Sequence, residues 1–457
     1  ILSMRAWWSV LLCCFVVAVQ CNNITAYAGL VDTIFTGALN DEVGYQRLGE
    51  MCNTFGSRLS GSESLEQAID WTVQQLKTDG FDSVTTEDVS VPNWVRRNEK
   101  LTMNHPRQKH MDLLALGGSI GTGTEGITAD VLVVSGYDEL IRNASLAQGK
   151  IVVFNAPFVS YGSTVTYRTN GAVEAAKAGA VASLTRSITP FSLYTPHTGV
   201  MYYEDGVSQI PSAAITIEDA NLLQSLQDNG VTPQLTLFLD CETLPNAQSR
   251  NVIAELKGSV LPDEFIVIGG HIDSWDVGSG AHDDAGGILQ TWEAMRLLAS
   301  LDMRPRRTIR LVFWTAEENG GSGADTYFAN HIEELGNNTF CFETDSGTFT
   351  PVGFSFAGTE AAKAEISQIA ELMSKHVQLT VTSGGAGADV SPLTSAGVPG
   401  VGLNVAADGV GTDTYFWYHH TRADTFDHVD LSEFKLCVGT VASLAYVVAD
   451  MESNLPK

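Results

Sequence analysis

Five short runs in the second half of the chain carry side chains that could do chemistry. They are Gly270-His271-Ile272-Asp273, His282-Asp283-Asp284-Ala285-Gly286-Gly287, Ala316-Glu317-Glu318-Asn319-Gly320-Gly321, Thr344-Asp345-Ser346-Gly347 and Tyr418-His419-His420-Thr421. Each alone has an ordinary explanation. Asp283-Asp284 fits a helix N-cap, Glu317-Glu318 a solvated loop pair, and Asp345 before Ser-Gly a turn. Their joint occurrence is harder to explain, because successive apolar strand-like runs each end in an acid or a His. Carboxylates gathered at one sheet edge repel one another unless a cation joins them.

Imidazole and carboxylate donors suit zinc. Two zinc ions about 3.5–4 Å apart that share a carboxylate form a hydrolytic device, and a water between them is a good nucleophile at neutral pH. Asp283 is the candidate bridge. Glu317 can take the proton from that water and pass it to a leaving amine while Glu318 holds metal, because neighbours at a strand end point in different directions. Asp273, two residues after His271, can orient that imidazole. His282 and His419 flank the proposed ligands and stay open as rivals for them. Asp389, in the Gly-rich stretch 383–389, is a candidate substrate contact or else a turn residue.

The elements that must position these groups are legible as periodicity. Residues 265–268, 308–315, 339–343 and 401–405 read as strands, and 285–301, 322–330 and 432–451 as helices. Strands alternating with helices imply an α/β fold with a mostly parallel central sheet flanked by helices. Nearer the N-terminus, Ser64 with Gln67 suggests a capping box. The helix after it places Leu65, Ala68, Ile69, Thr72, Val73 and Leu76 on one face and ends at Gly80. Residues 84–91 alternate like a strand. Residues 115–245 differ in texture, with short strands (130–134, 150–155), Gly-rich turns and a small-residue helix at 172–178. They read as an inserted, smaller domain rich in β-structure, a separate lobe carrying no catalytic residue. The catalytic domain is then 42–114 with 246–457, and 22–41, short of pattern, is a propeptide or N-terminal arm.

The 457 residues favour two domains, and 44% apolar with 17% charged residues fits a globular chain. With 53 acidic against 26 basic residues and a formal charge of -27, a nucleic-acid partner is disfavoured. Residues 4–21 read as a secretory signal, with Met4 and Arg5 ahead of an apolar run too short to span a bilayer. No later transmembrane run is expected. Behind such a signal, the triplets at Asn23, Asn143 and Asn337 are credible glycosylation sites. Cys52, Cys241, Cys341 and Cys437 remain after the signal, as bridges or as buried thiols.

At the five runs the chain resembles the two-zinc aminopeptidase family. Trp314-Thr315-Ala316-Glu317-Glu318 and His271-Ile272-Asp273-Ser274-Trp275-Asp276 carry most of the likeness, which extends over the mature chain and is densest from about residue 250. The resemblance implies one zinc on His271, Asp283 and Asp345, and another on Asp283, Glu318 and His420, with Glu317 as general base and acid. It implies an exopeptidase acting on dipeptides and other short peptides, secreted or lysosomal, made with a propeptide and dimeric. Gly149-Lys150-Ile151-Val152-Val153 and 175–181 resemble a protease-associated domain. The loop 406–414 looks longer than in the family and is expected to line the substrate pocket. Two other readings compete: a two-zinc hydrolase of another amide, such as an acylated amino acid, and a receptor or scaffold on a peptidase fold that has lost its activity. The second predicts missing ligands, whereas all five ligand positions and Glu317 are present.

Overall fold

The computed structural model describes residues 22–406 and 415–457. The expected signal segment, and all but one residue of the 406–414 loop, lie outside them. The centre is a run of four parallel strands, in the order Gly400–Val405, Asn338–Glu343, Leu261–His271 and Arg307–Trp314. From Phe265 to His271 every residue is buried, as expected for a strand covered on both faces. The flanks are antiparallel: Pro351–Ala357 lies against Gly400–Val405, and Gln234–Leu256 against Arg307–Trp314. The sheet is therefore parallel where the chemistry-bearing runs leave it and mixed overall.

The helix Gly286–Ser300 follows the Asp283-Asp284 turn and buries Ile288, Leu289, Trp292 and Met295. Beside it packs the closing helix Leu431–Asp450. By length and composition that helix could cross a membrane, with a mean hydropathy of 1.4, but 72% of the window is buried inside the protein. A core helix buried all round has the same composition as a membrane span.

Three local readings also change. The N-cap of Glu63–Asp79 is Ser62, which accepts from the Leu65 amide, while Ser64 donates to the Ser57 carbonyl. The patternless segment 22–41 contains the helix Ala28–Asn40, whose Val31, Ile34, Phe35 and Ala38 are buried at helical spacing. Asp32, Thr33, Thr36 and Gly37 between those residues diluted the pattern. The expected strand at 84–91 is the start of one 23-residue strand, Ser83–His105.

That long strand pairs antiparallel with the equally long Gln234–Leu256, from Ser83 opposite Glu255 to His105 opposite Gln234, with three register shifts. The ribbon joins two parts of one 14-stranded sheet. At one end Gln234–Leu256 flanks the catalytic strands; at the other it pairs with Ile127–Val134. Beyond lie Ile151–Phe154, Ala182–Arg186 and Ser212–Ile215, mutually parallel, with Leu113–Ala115 antiparallel at the edge. In this smaller lobe one apolar cluster gathers Val133, Val153, Leu184 and Ile215 and extends to Leu59, Trp94 and Trp275 outside it, and another gathers Phe154 and Ala172. Cys52, Cys241, Cys341 and Cys437 are all buried free thiols. Asn23 and Asn337 are exposed, and Asn143 is half-buried.

Candidate metal centre

Parallel strands present their carboxyl ends at one edge, where ligands gather. Leu261–His271 ends on His271; Glu317 and Glu318 follow Arg307–Trp314; Asp345 follows Asn338–Glu343. The turn that opens Gly286–Ser300 brings Asp283 to the same edge. Asp283 sits in the middle. Its Oδ1 lies 3.2 Å from His271 Nε2, and its Oδ2 lies 3.3 Å from His420 Nε2. Asp345 Oδ1 is 3.8 Å from His271 Nε2, and Glu318 Oε2 is 2.9 Å from His420 Nε2. Five of the six proposed metal and base positions thus form two groups meeting at Asp283, with Glu317 beside them on the wall of the same cleft.

The backbone around Asp283 is held by acids that take no place in the cluster. Asp424 accepts from the amides of His282 and Asp283, at 2.7 and 3.1 Å. Asp284 accepts from the amides of His271 and Gly287, each at 3.1 Å. A Cβ on Gly270 or Gly287 would come within 2.2 Å of an Asp284 oxygen, so only glycine leaves room for this pin. Asp273 behaves differently from expectation. Its carboxylate is 3.6 Å from His271 Nδ1, too far for a hydrogen bond, and instead accepts from the Glu317 and Glu318 amides. The backbone carbonyl of Asp273 is what receives His271 Nδ1, at 3.1 Å.

The rival imidazoles differ. His282 turns away into an aromatic stack, its ring centroid 4.5 Å from that of Phe349, and its Nδ1 accepts from the Thr348 amide. Burial pushes its pKa down to about 4. His419 stays close, with Nε2 3.8 Å from Asp283 Oδ2 and its ring stacked on His420. The two are distinguished by their other nitrogens. His420 Nδ1 donates to the Thr198 carbonyl at 3.1 Å, whereas His419 Nδ1 is buried without a partner. His420 has a left-handed backbone, φ 61°, an uncommon state for a residue with a Cβ. It is tied across the lobes by the Thr198 amide on its carbonyl at 3.0 Å, and by His197 Nδ1 on the His419 carbonyl at 2.7 Å.

Charge is strongly perturbed. Burial, reinforced by Asp283, pushes Glu318 up to about 7. Glu317 is raised well above the usual range by burial, with Asp345 and Glu318 adding to it. Burial also works against ionising Asp283, but the flanking His271 and His420 hold it well below its usual value. Several donor atoms stay buried with no hydrogen-bond partner: His271 Nε2, Asp283 Oδ2 and Glu318 Oε1. Buried polar atoms are normally satisfied, and a shared cation satisfies this set.

Peptidase family M28 matches residues 251–445, the stretch that holds all of these groups. Human carboxypeptidase Q is 46% identical over 413 residues, covering 90% of this chain and 86% of its own length. The chain belongs to peptidase family M28. Carboxypeptidase Q of Xenopus laevis is 43% identical over 95% of this chain and 92% of its own. Among solved structures, a peptidase M28 precursor from Shewanella amazonensis superposes with a TM-score of 0.90 at 33% identity, over 95% of this chain and 99% of that one. A zinc aminopeptidase from Bacillus subtilis shares the fold, with a TM-score of 0.67 at 21% identity over 90% and 98%.

Within this M28 chain, sequence reasoning missed several residues that shape the site. Asp424 lies four residues beyond His420, just past the end of a run already singled out, and its spacing alone could have raised it. Tyr415 donates to Asp345 Oδ1 at 3.1 Å. Glu343 accepts from the Ala388 and Val390 amides and so holds the 388–390 turn. That turn carries Asp389, which is buried with both carboxylate oxygens unpartnered; burial and the charges of Glu343 and Glu317 raise its pKa well above the usual range. Ala388, not Asp389, reaches the cleft wall. The smaller lobe also lines that wall, with Tyr161, Arg168, Val200 and Tyr202. No local sequence signal marked those four.

Proposed function

We propose that the chain hydrolyses dipeptides and other short unblocked peptides, using two zinc ions held by its own side chains. By family it is a metallo-exopeptidase; substrate length, the number of ions and the division of labour are the additions. The reading is carried by one observation: His271 and His420 meet the two oxygens of Asp283, and His271 Nε2, Asp283 Oδ2 and Glu318 Oε1 stay buried there without hydrogen-bond partners. His271, Asp283 and Asp345 would hold one ion. Asp283, Glu318 and His420 would hold the other. His420 is preferred to His419 because a ligating imidazole donates its second N–H to an acceptor, and only His420 has one.

When bound, the ions supply acidity to water and polarisation of the scissile carbonyl. The protein's own residues do the rest. Glu317 takes a proton from the attacking water and delivers it to the amine that leaves. Burial raises its pKa, and a carboxylate with a raised pKa is a better proton acceptor than a free one. Asp273 fixes the Glu317 and Glu318 amides. A cleft of about 720 Å³ fits a short peptide rather than a folded chain. The smaller lobe is read as a protease-associated insert, and the signal segment with the three sequons as marks of the secretory route.

The test is turnover of unblocked dipeptides beside N-blocked and C-blocked versions, at acidic and neutral pH with zinc, together with elemental analysis of the purified protein. Close to two zinc ions per chain and preference for unblocked dipeptides are expected. A single ion, or equal turnover of fully blocked peptides, would overturn the reading.

A further inference from the structure

The wall of the cleft is crowded with acids: Asp283, Glu317, Glu318, Asp325 and Asp345. Among the described residues it carries a single Lys or Arg, which is Arg168 from the smaller lobe. Arg168 is only 5% exposed and has no acidic partner within ion-pair distance among the described residues. Its hydrogen bonding is thin. One Nη donates to the Tyr161 hydroxyl at 2.9 Å. The other reaches the Thr198 carbonyl only at 3.4 Å. It also lies 3.5 Å from His420 Nδ1, a nitrogen already donating to Thr198. Nε is buried with no partner at all.

A guanidinium offers five donors in a flat fork. Burying one without an anion is costly, so such groups are paired. The fold nonetheless makes room for this one. A Cβ on Gly199 would lie 2.3 Å from Arg168 Cζ, so the glycine lets the guanidinium lie flat against the backbone. Tyr161 packs on it from another side, 5.5 Å from Cζ to the ring centroid. As it accepts from Arg168, the Tyr161 hydroxyl keeps its own proton for an acceptor in the cleft.

We propose that Arg168, with the Tyr161 hydroxyl, binds the free C-terminal carboxylate of the peptide substrate. Resting on the peptidase reading above, this assigns the end of the peptide that is recognised. Distance supports it. In a dipeptide the carboxylate is one residue from the scissile bond, about 3.5 Å along an extended chain. Arg168 stands one ring away from the cluster, across His420. The smaller lobe would thus supply substrate recognition while the sheet edge supplies the chemistry.

The experiment uses the full zinc-loaded chain and a pair of probes: a free dipeptide and the same dipeptide with a C-terminal amide. The unaltered protein is expected to favour the free acid in kcat/KM by at least ~10-fold, the scale of a charge-assisted hydrogen-bond pair. Arg168→Met should cut kcat/KM on the free acid by ~10²-fold, mainly through KM, and change the amide less than ~2-fold, with zinc content unaltered. Arg168→Lys, which keeps charge but loses the fork, should fall in between and carries the test if the Met variant does not fold. Equal losses on both probes would overturn the proposal, since Arg168 would then be serving the reacting carbonyl or the fold. Undiminished turnover of the free acid would overturn it too. Should the parent hydrolyse neither probe, the peptidase reading fails separately. Calorimetric binding then decides on Arg168: a preference for the acid lost in Arg168→Met supports it, and a preference kept overturns it.

Discussion

The two sides of the Asp283 cluster are built in different ways. His271 and Asp345 leave adjacent parallel strands, and ladder hydrogen bonds on both sides fix where they emerge. His420 comes from a turn after a four-residue helix, in a left-handed backbone. Its position depends on Thr198 and His197, residues of another lobe some 220 positions earlier in the chain. The first side inherits its geometry from the sheet. The second must be assembled by docking one lobe on the other. A sheet-borne site should therefore be robust to changes at a distance, while a docked one should respond to its supports.

Removing the shared member tests the pairing hardest. Asp283→Ala is expected to empty both sides and to lower turnover by at least ~10³-fold, since groups that work as a unit fail as a unit. Elemental analysis with kinetics checks it, and one tightly held zinc in that variant would break the bridging geometry. Next come the two adjacent acids. Glu317→Gln should lower turnover by at least ~10²-fold with both ions retained. Glu318→Gln should instead lose zinc from the His420 side. The reverse pattern of metal loss would exchange their roles.

The lobe contact is probed more gently. His197→Gln removes a support of His420, not a ligand, so zinc affinity on that side should weaken by ~10-fold, the lower end for such supporting residues. The His271 side should hold its ion unchanged. Equal weakening of both would mean the two sides are not built differently after all. A further effect is on acid stability. Burial lowers the pKa of His197 to about 3, against about 6.5 for an exposed imidazole. Between those values the unfolded chain binds one proton more than the folded chain. This contribution is therefore whole above about pH 6.5 and shrinks as pH falls toward 3, by at most about 1.4 kcal/mol per pH unit. Urea midpoints measured down that range should fall less steeply for His197→Gln than for the parent. Parallel slopes would count against a neutral, buried His197.

How much of this was legible follows the same division. The sheet edge could be read because each ligand sits next to its own strand: His271, Glu317, Glu318 and Asp345 are local to apolar runs. His420 was legible only through family likeness, and spacing could not separate it from His419. That choice turns on a carbonyl of Thr198, which no local pattern announces. Arg168 was invisible for a similar reason. Its meaning lies in lacking an acidic partner, and partners are a property of the folded chain. Asp273 shows the opposite limit, for its spacing from His271 suggested one contact while the turn at Ala316, with φ 62°, delivered the Glu317 and Glu318 amides to it instead.

The ribbon of Ser83–His105 and Gln234–Leu256 has a mechanical side. At about 3.3 Å per residue each strand runs roughly 70 Å, long for a pair of strands and continuous with the sheet at both ends. A twisted beam of this kind resists bending in its plane and yields where its ladder is interrupted. Those interruptions are at Val91/Asn93, Arg96/Glu99 and Met103/His105. The middle one is clamped: Arg96 meets Asp276 at 2.7 Å and Glu99 at 3.3 Å, and donates to the Ala115 carbonyl at 2.7 Å. Arg96 thus acts as a splint across the soft point of the beam. The cleft is then set less by a swinging door than by the stiffness of one girder, and cutting the splint should make the width of the cleft, rather than its chemistry, the quantity that drifts.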